Sequence, residues 1–324
     1  MGEAIITRRG GGASLKESHE FIFSASSIDY GGSILAIAFD NNYLYVGGSG
    51  PRKVYKLYKS DLTKVAESID YGGEIRAITL DDNYLYVGGL TTQKVYKLNK
   101  SNLSKVAESI ACDGNIWAMT SDNTYLYVGD GYPARKVYKL NKSDLSKVAE
   151  SPYYDNDIQA IASDNNYLYV GGRGDTNKVY KLNKSDLTKV AESIRYGYIT
   201  AMTSDDSYLY VCGGSGYTNK VYKLNKSDLS QVTESISYSY NITAITSDDS
   251  YLYIGGVNLN QIYKLYKSNL SQVTEPMDYG SGITAMTSDN IYLYVSDRTT
   301  RKVFKQNKIA YLYKNLKLIV IGSV

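Results

Sequence analysis

Tyr43-Leu44-Tyr45-Val46 returns at 84–87, 125–128, 167–170 and 208–211, as Tyr251-Leu252-Tyr253-Ile254, and again at 292–295. The seven copies stand 41, 41, 42, 41, 43 and 41 residues apart. A fixed period of this length marks one supersecondary unit repeated along the chain. The third copy shows its content. Ile116–Thr120, Tyr125–Val128, Lys136–Leu140 and Ser146–Glu150 are short apolar runs separated by Ser121-Asp122-Asn123, Gly129-Asp130-Gly131-Tyr132-Pro133 and Asn141-Lys142-Ser143-Asp144. Runs rich in Val, Ile, Tyr and Thr, bounded by Gly, Asn, Asp and Ser, read as four strands joined by hairpins. No stretch of helical period competes with them.

Alternation along a strand puts the two Tyr of each copy on one face and the Leu and Val on the other. Both faces then need cover, which a lone four-stranded sheet cannot supply. Seven sheets set radially can, because each packs between two neighbours. The expected fold is therefore all-β: a seven-bladed β-propeller with four antiparallel strands per blade, lettered a to d from the centre outward.

The chain ends fit a closed ring. Residues 1–16 are Gly-rich and expected to be flexible. Glu17–Ser27 aligns with a strand d, as Ser24-Ala25-Ser26-Ser27-Ile28-Asp29-Tyr30 matches Val65-Ala66-Glu67-Ser68-Ile69-Asp70-Tyr71. An N-terminal outer strand would complete the last blade and remove two sheet edges. The propeller then spans 17–308. Residues 309–324 hold the most apolar run, Leu316–Ile321, expected as a closing or extra edge strand.

The seven copies do not vary evenly. The a–b turns (Asp40-Asn41-Asn42, Asp81-Asp82-Asn83) and c–d turns (Lys59-Ser60-Asp61-Leu62, Lys184-Ser185-Asp186-Leu187) are nearly constant, as polar turns whose Asp and Asn bond their own backbone and tolerate left-handed conformations. The b–c and d–a loops differ in almost every copy. Strand direction alternates, so both variable sets emerge on one face of the disc. One position within strand a joins them. In the pattern Ile-x-Ala, x is Leu35, Arg76, Trp117, Gln159, Thr200, Thr243 and Thr284, whereas the Ala is constant. This position is expected at the mouth of the central channel. With Tyr71, Tyr154, Tyr196, Tyr240 and Arg173 it forms the candidate ligand-binding face, since rigid scaffolds carry specificity on loops and Tyr and Arg suit such contacts.

Composition narrows the chemistry. The balance of 36 Lys and Arg against 33 Asp and Glu, net +3, is too even for nucleic-acid binding. Cys112 and Cys212 stand at non-equivalent repeat positions and read as incidental thiols. His19, the sole histidine, falls in the expected closing strand. No phosphate loop, paired-Cys site, Gly-x-Ser-x-Gly elbow or EF-hand pattern occurs. Catalytic residues, metal ligands and cofactors are therefore expected to be none. Arg173-Gly174-Asp175 matches the integrin-binding tripeptide in an expected b–c loop. No signal-peptide core or membrane-length apolar run is present, so no membrane insertion is expected, and a cytoplasmic location is the default. The oligomeric state is left unset.

Tyr208-Leu209-Tyr210-Val211, Asn219-Lys220-Val221-Tyr222-Lys223-Leu224 and Leu229-Ser230-Gln231-Val232-Thr233 together resemble the YVTN-type propeller repeats. The resemblance covers about 28–308. It departs where the family has Thr-Asn after Tyr-Val, because this chain mostly has Gly-Gly. The Trp-Asp and Gly-His marks of WD40 repeats and the kelch marks are absent. The resemblance implies a seven-bladed ring, often on a bacterial or archaeal surface. The functional expectation is a non-enzymatic binding or scaffold propeller that recognises a protein or glycan through the variable face. The alternatives are a lactonase-like hydrolase or lyase at the channel mouth, and a structural ring of a surface assembly.

Overall fold

The computed structural model describes residues 24–214 and 219–308. These residues form seven four-stranded antiparallel sheets and, among the described residues, no helix. Blade 1 runs through strands a Ile34–Phe39, b Tyr43–Gly48, c Tyr55–Tyr58 and d Lys64–Glu67. Strand a begins at Ile75, Ile116, Asn156, Tyr198, Ala244 and Ile283 in blades 2 to 7. In blade 7 the outer strand is Ala25–Ser26, paired Ala25 to Lys305 and Ser26 to Phe304. The N-terminal strand therefore closes the ring. Residues 17–23 with His19, Tyr217, and the apolar tail 309–324 lie outside the described residues.

The two-sided strand b behaves as its alternation requires. Tyr45 packs into the cluster between blades 1 and 2, with Ile75, Leu85 and Val87. Leu44 and Val46 pack into the cluster between blades 7 and 1, with Tyr294 and Val303. The core is thus a series of interfaces, one between each pair of neighbours, and not a single central mass. Close approach at these interfaces accounts for the Gly after the repeat. A Cβ on Gly47 would lie 2.6 Å from the Ile75 side chain of the next blade, closer than packed carbon atoms can come.

The same interfaces hold buried lysines. The strand-c residues Lys56, Lys97, Lys139, Lys181, Lys223, Lys264 and Lys305 are between 1 and 7 % exposed. A buried ammonium needs compensating partners. Each lies 3.9–4.1 Å from the ring of the first Tyr of its own blade's repeat. Lys56 also donates to the carbonyls of Lys100 and Ser101 in the next blade's c–d turn, at 2.8 and 3.2 Å. Lys97, Lys139, Lys181 and Lys223 do the same one blade further each. Lys305 reaches Lys59 and Ser60 and so clamps blade 7 onto blade 1.

A second ring of contacts uses the constant turns. Asp40 caps its own a–b turn by accepting the amides of Asn42 and Tyr43, and its other oxygen accepts the Tyr45 hydroxyl at 2.9 Å. That oxygen also pairs with Lys100 of blade 2 at 3.0 Å. The pattern continues through Lys142–Asp81, Lys184–Asp122, Lys226–Asp164, Lys267–Asp205 and Lys308–Asp248, and closes at Lys59–Asp289, over 2.8–3.8 Å. The polar turns therefore do more than reverse the chain, which is all their composition indicated.

The c–d turn also corrects an expectation about who takes the left-handed conformation. It is the Leu that follows Asp or Asn: Leu62, Leu103, Leu145, Leu187, Leu229 and Leu270 have φ of 59–64°. Asp61 instead accepts the Thr63 amide, while Leu62 is 1 % exposed. A non-glycine residue costs roughly 1–2 kcal/mol there. Burial of a Leu side chain contributes roughly 1.5–3 kcal/mol, enough to hold it.

Two outcomes are expected. Lys97→Met leaves the Lys142 and Ser143 carbonyls without their donor, so the denaturant midpoint should report a loss of about 1–3 kcal/mol. Acid should act through the seven turn carboxyls. Burial raises each of them, but the hydrogen bonds and the next blade's ammonium outweigh it and leave all seven lowered, Asp289 to about 2. Because the folded values are depressed, this stability is present above the unfolded carboxyl value of about 4 and is lost as pH falls towards 2. Thermal melts should fall steeply across that window, and less so for Asp289→Asn.

Candidate binding face

The inner end of strand a is not a regular strand. In blade 1 Ile34 pairs with Gly48 and Ala36 with Gly47, which leaves Leu35 as the extra residue of a β-bulge. The same slip isolates Arg76, Trp117, Gln159 and Thr200 in blades 2 to 5. In blade 7 it spans Thr284 and Ala285, and in blade 6 strand a starts only after Thr243. A bulge re-aims a side chain out of the pleat. All seven x residues, with the constant Ala beside them, line one central channel of about 250 Å³.

The two halves of that channel differ. On blades 5 to 7 the threonines turn sideways into the ring. Thr200 donates to the Ile242 carbonyl, Thr243 to Ile283 at 2.9 Å and Thr284 to Ile34. On blades 1 to 4 stand Leu35, Arg76, Trp117 and Gln159. Arg76 donates through Nε and Nη2 to one oxygen of Glu74, at 3.1 and 2.7 Å. Its guanidinium lies 5.0 Å from the centre of the Trp117 ring. Glu74 precedes Arg76 by only two residues, so their nearness in the chain could have revealed the pair.

The contacts continue outward into the blade 3 b–c loop. A Cβ on Gly131 would lie 2.5 Å from the Trp117 indole nitrogen, so the loop rests directly on that ring. Asp157, at the start of strand a of blade 4, accepts the Tyr132 amide at 2.9 Å and Arg135 Nε at 3.2 Å. Arg135 also donates to the Tyr153 hydroxyl at 3.0 Å and lies 5.7 Å from the Tyr132 ring. Tyr132 and Tyr153 are 72 % and 52 % exposed. The sequence places Asp157 in a variable d–a stretch, Tyr153-Tyr154-Asp155-Asn156-Asp157, but nothing local ties it to a loop 22 residues earlier.

Several expected face residues lie elsewhere. Tyr71, Tyr154 and Tyr196 are buried, as are Tyr30, Tyr238 and Tyr279. Their rings pack on the strand-c aromatic of the blade they precede, Tyr71 on Tyr96, Tyr154 on Tyr180 and Tyr196 on Tyr222, at 4.4–4.7 Å. They are core, and this corrects their placement on the binding face. Blade 3 has Cys112 at this place, a buried thiol that burial pushes up to about 12. Tyr240 is exposed, and exposed Arg173 lies 4.7 Å over the Tyr198 ring. Arg173 and Gly174 belong to an extended strand b, paired with Asp157 and Asn156, so the Arg-Gly-Asp tripeptide is not the free loop expected.

The b–c loops vary in sequence yet share a base. Arg52, Gln93, Arg135, Asn177, Asn260 and Arg301 all have φ of 50–57°. Their carbonyls accept the amide at the buried aromatic or Cys position of the next loop, as Arg52 does from Tyr71 and Gln93 from Cys112. Variation is therefore confined to the tips. Among the described residues no group of three His, Cys, Asp or Glu is placed to hold a metal ion.

No family model matches the chain, and no curated protein does. Among solved structures it is similar to the WD40 β-propeller domain of Doa1, with a TM-score of 0.75 and 11% identity over 89% of this chain and 97% of that one. It is similar also to the computationally designed Ika8 protein, with a TM-score of 0.65 and 11% identity over 88% and 99%. Likeness at this identity shows the β-propeller fold and says nothing of a ligand.

One carboxyl beside the channel mouth departs from the rest. Burial pushes Asp130 up to about 6, although the Lys136 amide donates to it at 2.7 Å. Unfolded, it releases its proton near 4, so the ionised form costs stability above that window and nothing below it. Asp130→Asn should raise the melting temperature at pH 8 and leave it unchanged below pH 4, in paired scans against the parent protein.

Proposed function

We propose that this ring is a non-enzymatic binding module whose ligand, a protein or a glycan, docks at the channel mouth on the face of the b–c and d–a loops. The observation that carries this reading is the strand-a bulge. In blades 1 to 4 it isolates four different residues, Leu35, Arg76, Trp117 and Gln159, and these line a single opening with the threonines of blades 5 to 7. The constant residues of the opposite face are occupied by inter-blade bonds, which gives them a sufficient structural role. The resemblance to YVTN-type repeats adds a scaffold often displayed on cell surfaces, with specificity placed in its loops.

A hydrolase or lyase at the same mouth has less support. Such chemistry calls for clustered carboxylates or a base near the axis. The channel is lined by Leu, Ile, Ala, Met, Thr, Gln, Arg and Trp side chains.

Arg76→Ala combined with Trp117→Ala should abolish capture on an array of glycans and cell-surface proteins while the chain still melts as one cooperative β-rich unit, at a lowered temperature. Asn123→Ala with Asn165→Ala, on exposed a–b turns of the other face, should capture as the parent does. Undiminished capture by the Arg76/Trp117 variant would overturn the assignment.

A further inference from the structure

The variable face is not uniform, and its chemistry concentrates over blades 2 to 4. Here three aromatic residues are linked by contacts: Gly131 rests on Trp117, the ring of the next residue, Tyr132, lies 5.7 Å from Arg135, and Arg135 donates to the Tyr153 hydroxyl. Between them lie two guanidiniums, and each is already matched. Arg76 pairs with Glu74 at 2.7 Å and Arg135 with Asp157 at 3.2 Å. The stripe therefore carries donors and acceptors beside its rings, and both of its guanidiniums are already paired.

That balance selects a ligand. An acidic peptide or a sulfated polymer gains from a cation without a partner, and would have to displace Glu74 or Asp157 to find one. A neutral sugar asks for something else. Its C–H faces pack on aromatic rings, while its hydroxyls both donate and accept. Paired Arg and carboxylate groups meet both demands. The channel, at about 250 Å³, is smaller than the usual small-molecule pocket of ~300–1,000 Å³. It suits the end of a chain, with the following units laid along the tyrosines.

From these observations we propose that the stripe from Trp117 to Tyr153 binds a neutral oligosaccharide, its terminal unit at the channel mouth and the next units over Tyr132 and Tyr153. This rests on the reading of this face as a binding surface and names its ligand class.

Trp117 is the only tryptophan in the chain and so reports on its own site. The intact protein is titrated with neutral glucan, mannan and galactan oligosaccharides, and separately with heparin and polygalacturonate fragments, under excitation selective for tryptophan. The expected result is a saturable shift in Trp117 emission with a neutral oligosaccharide, insensitive to added salt. Tyr132→Ala and Tyr153→Ala should each weaken it roughly ten-fold, a loss of the size that truncating a buried aromatic contact brings. Asn123→Ala should not. No shift with any neutral oligosaccharide, a shift confined to the acidic polymers and lost in salt, or sugar binding indifferent to both tyrosine variants would each overturn the proposal. Capture of a protein on the array that is lost with Arg76 and Trp117 would still uphold the broader binding face. Capture that survives that double variant would remove both.

Discussion

The ring depends on a buried lysine reaching across each blade boundary. A lysine on strand c sits over a tyrosine of its own blade and donates to two carbonyls of the next blade's turn. The carbonyls it binds are those of a turn whose own lysine reaches back to the previous blade's aspartate. The interfaces bridged by Lys56, Lys97, Lys139, Lys181, Lys223 and Lys305 are thus fastened in both directions by charge-assisted bonds within a low-dielectric layer, where they are strong and where their absence would be costly. The last such contact joins residues 246 apart, Lys305 to Lys59. At that same boundary the outer strand of blade 7, Ala25–Ser26 among the described residues, is joined by backbone bonds from Ser24, Ser27 and Tyr30.

This arrangement explains why the repeats stayed alike on one face and diverged on the other. Asp40 serves its own turn, its own Tyr45 and its neighbour's Lys100 at once, so a change would disturb two blades. The tips of the b–c loops carry no such duty. Only their base does, where a left-handed residue offers its carbonyl to the next loop. What is left free is a set of tips and the one residue per blade that lines the channel mouth. That freedom is uneven, since the three threonines at this position are tied to the neighbouring blade and Arg76 and Trp117 form a stacked pair.

Much of this was legible in the sequence. The spacing of the repeat counted the blades, and its alternation required cover on both sides, which only neighbouring blades provide. The match of 24–30 to a strand d and the loop behind it foretold how the ring closes. The candidate site was legible in part. The Ile-x-Ala position was found by comparing copies, but the buried tyrosines were mistaken for surface. Tyr71 and Tyr153 lie in loops of similar composition, yet one packs on Tyr96 and the other stands in solvent.

The sequence by itself determined the number of blades, the strand order, the two-sided core and the face on which variation falls, because each follows from a period repeated seven times. Only the tertiary structure decided which variable residues meet. Trp117 with Gly131, Arg135 with Asp157 and Lys97 with the turn of Lys142 are contacts between different strands or blades. They depend on a bulge, a loop base and a blade-to-blade approach that leave no local mark on the chain. A side chain's burial is set by what the fold places against it, and for these residues that partner arrives from another part of the ring.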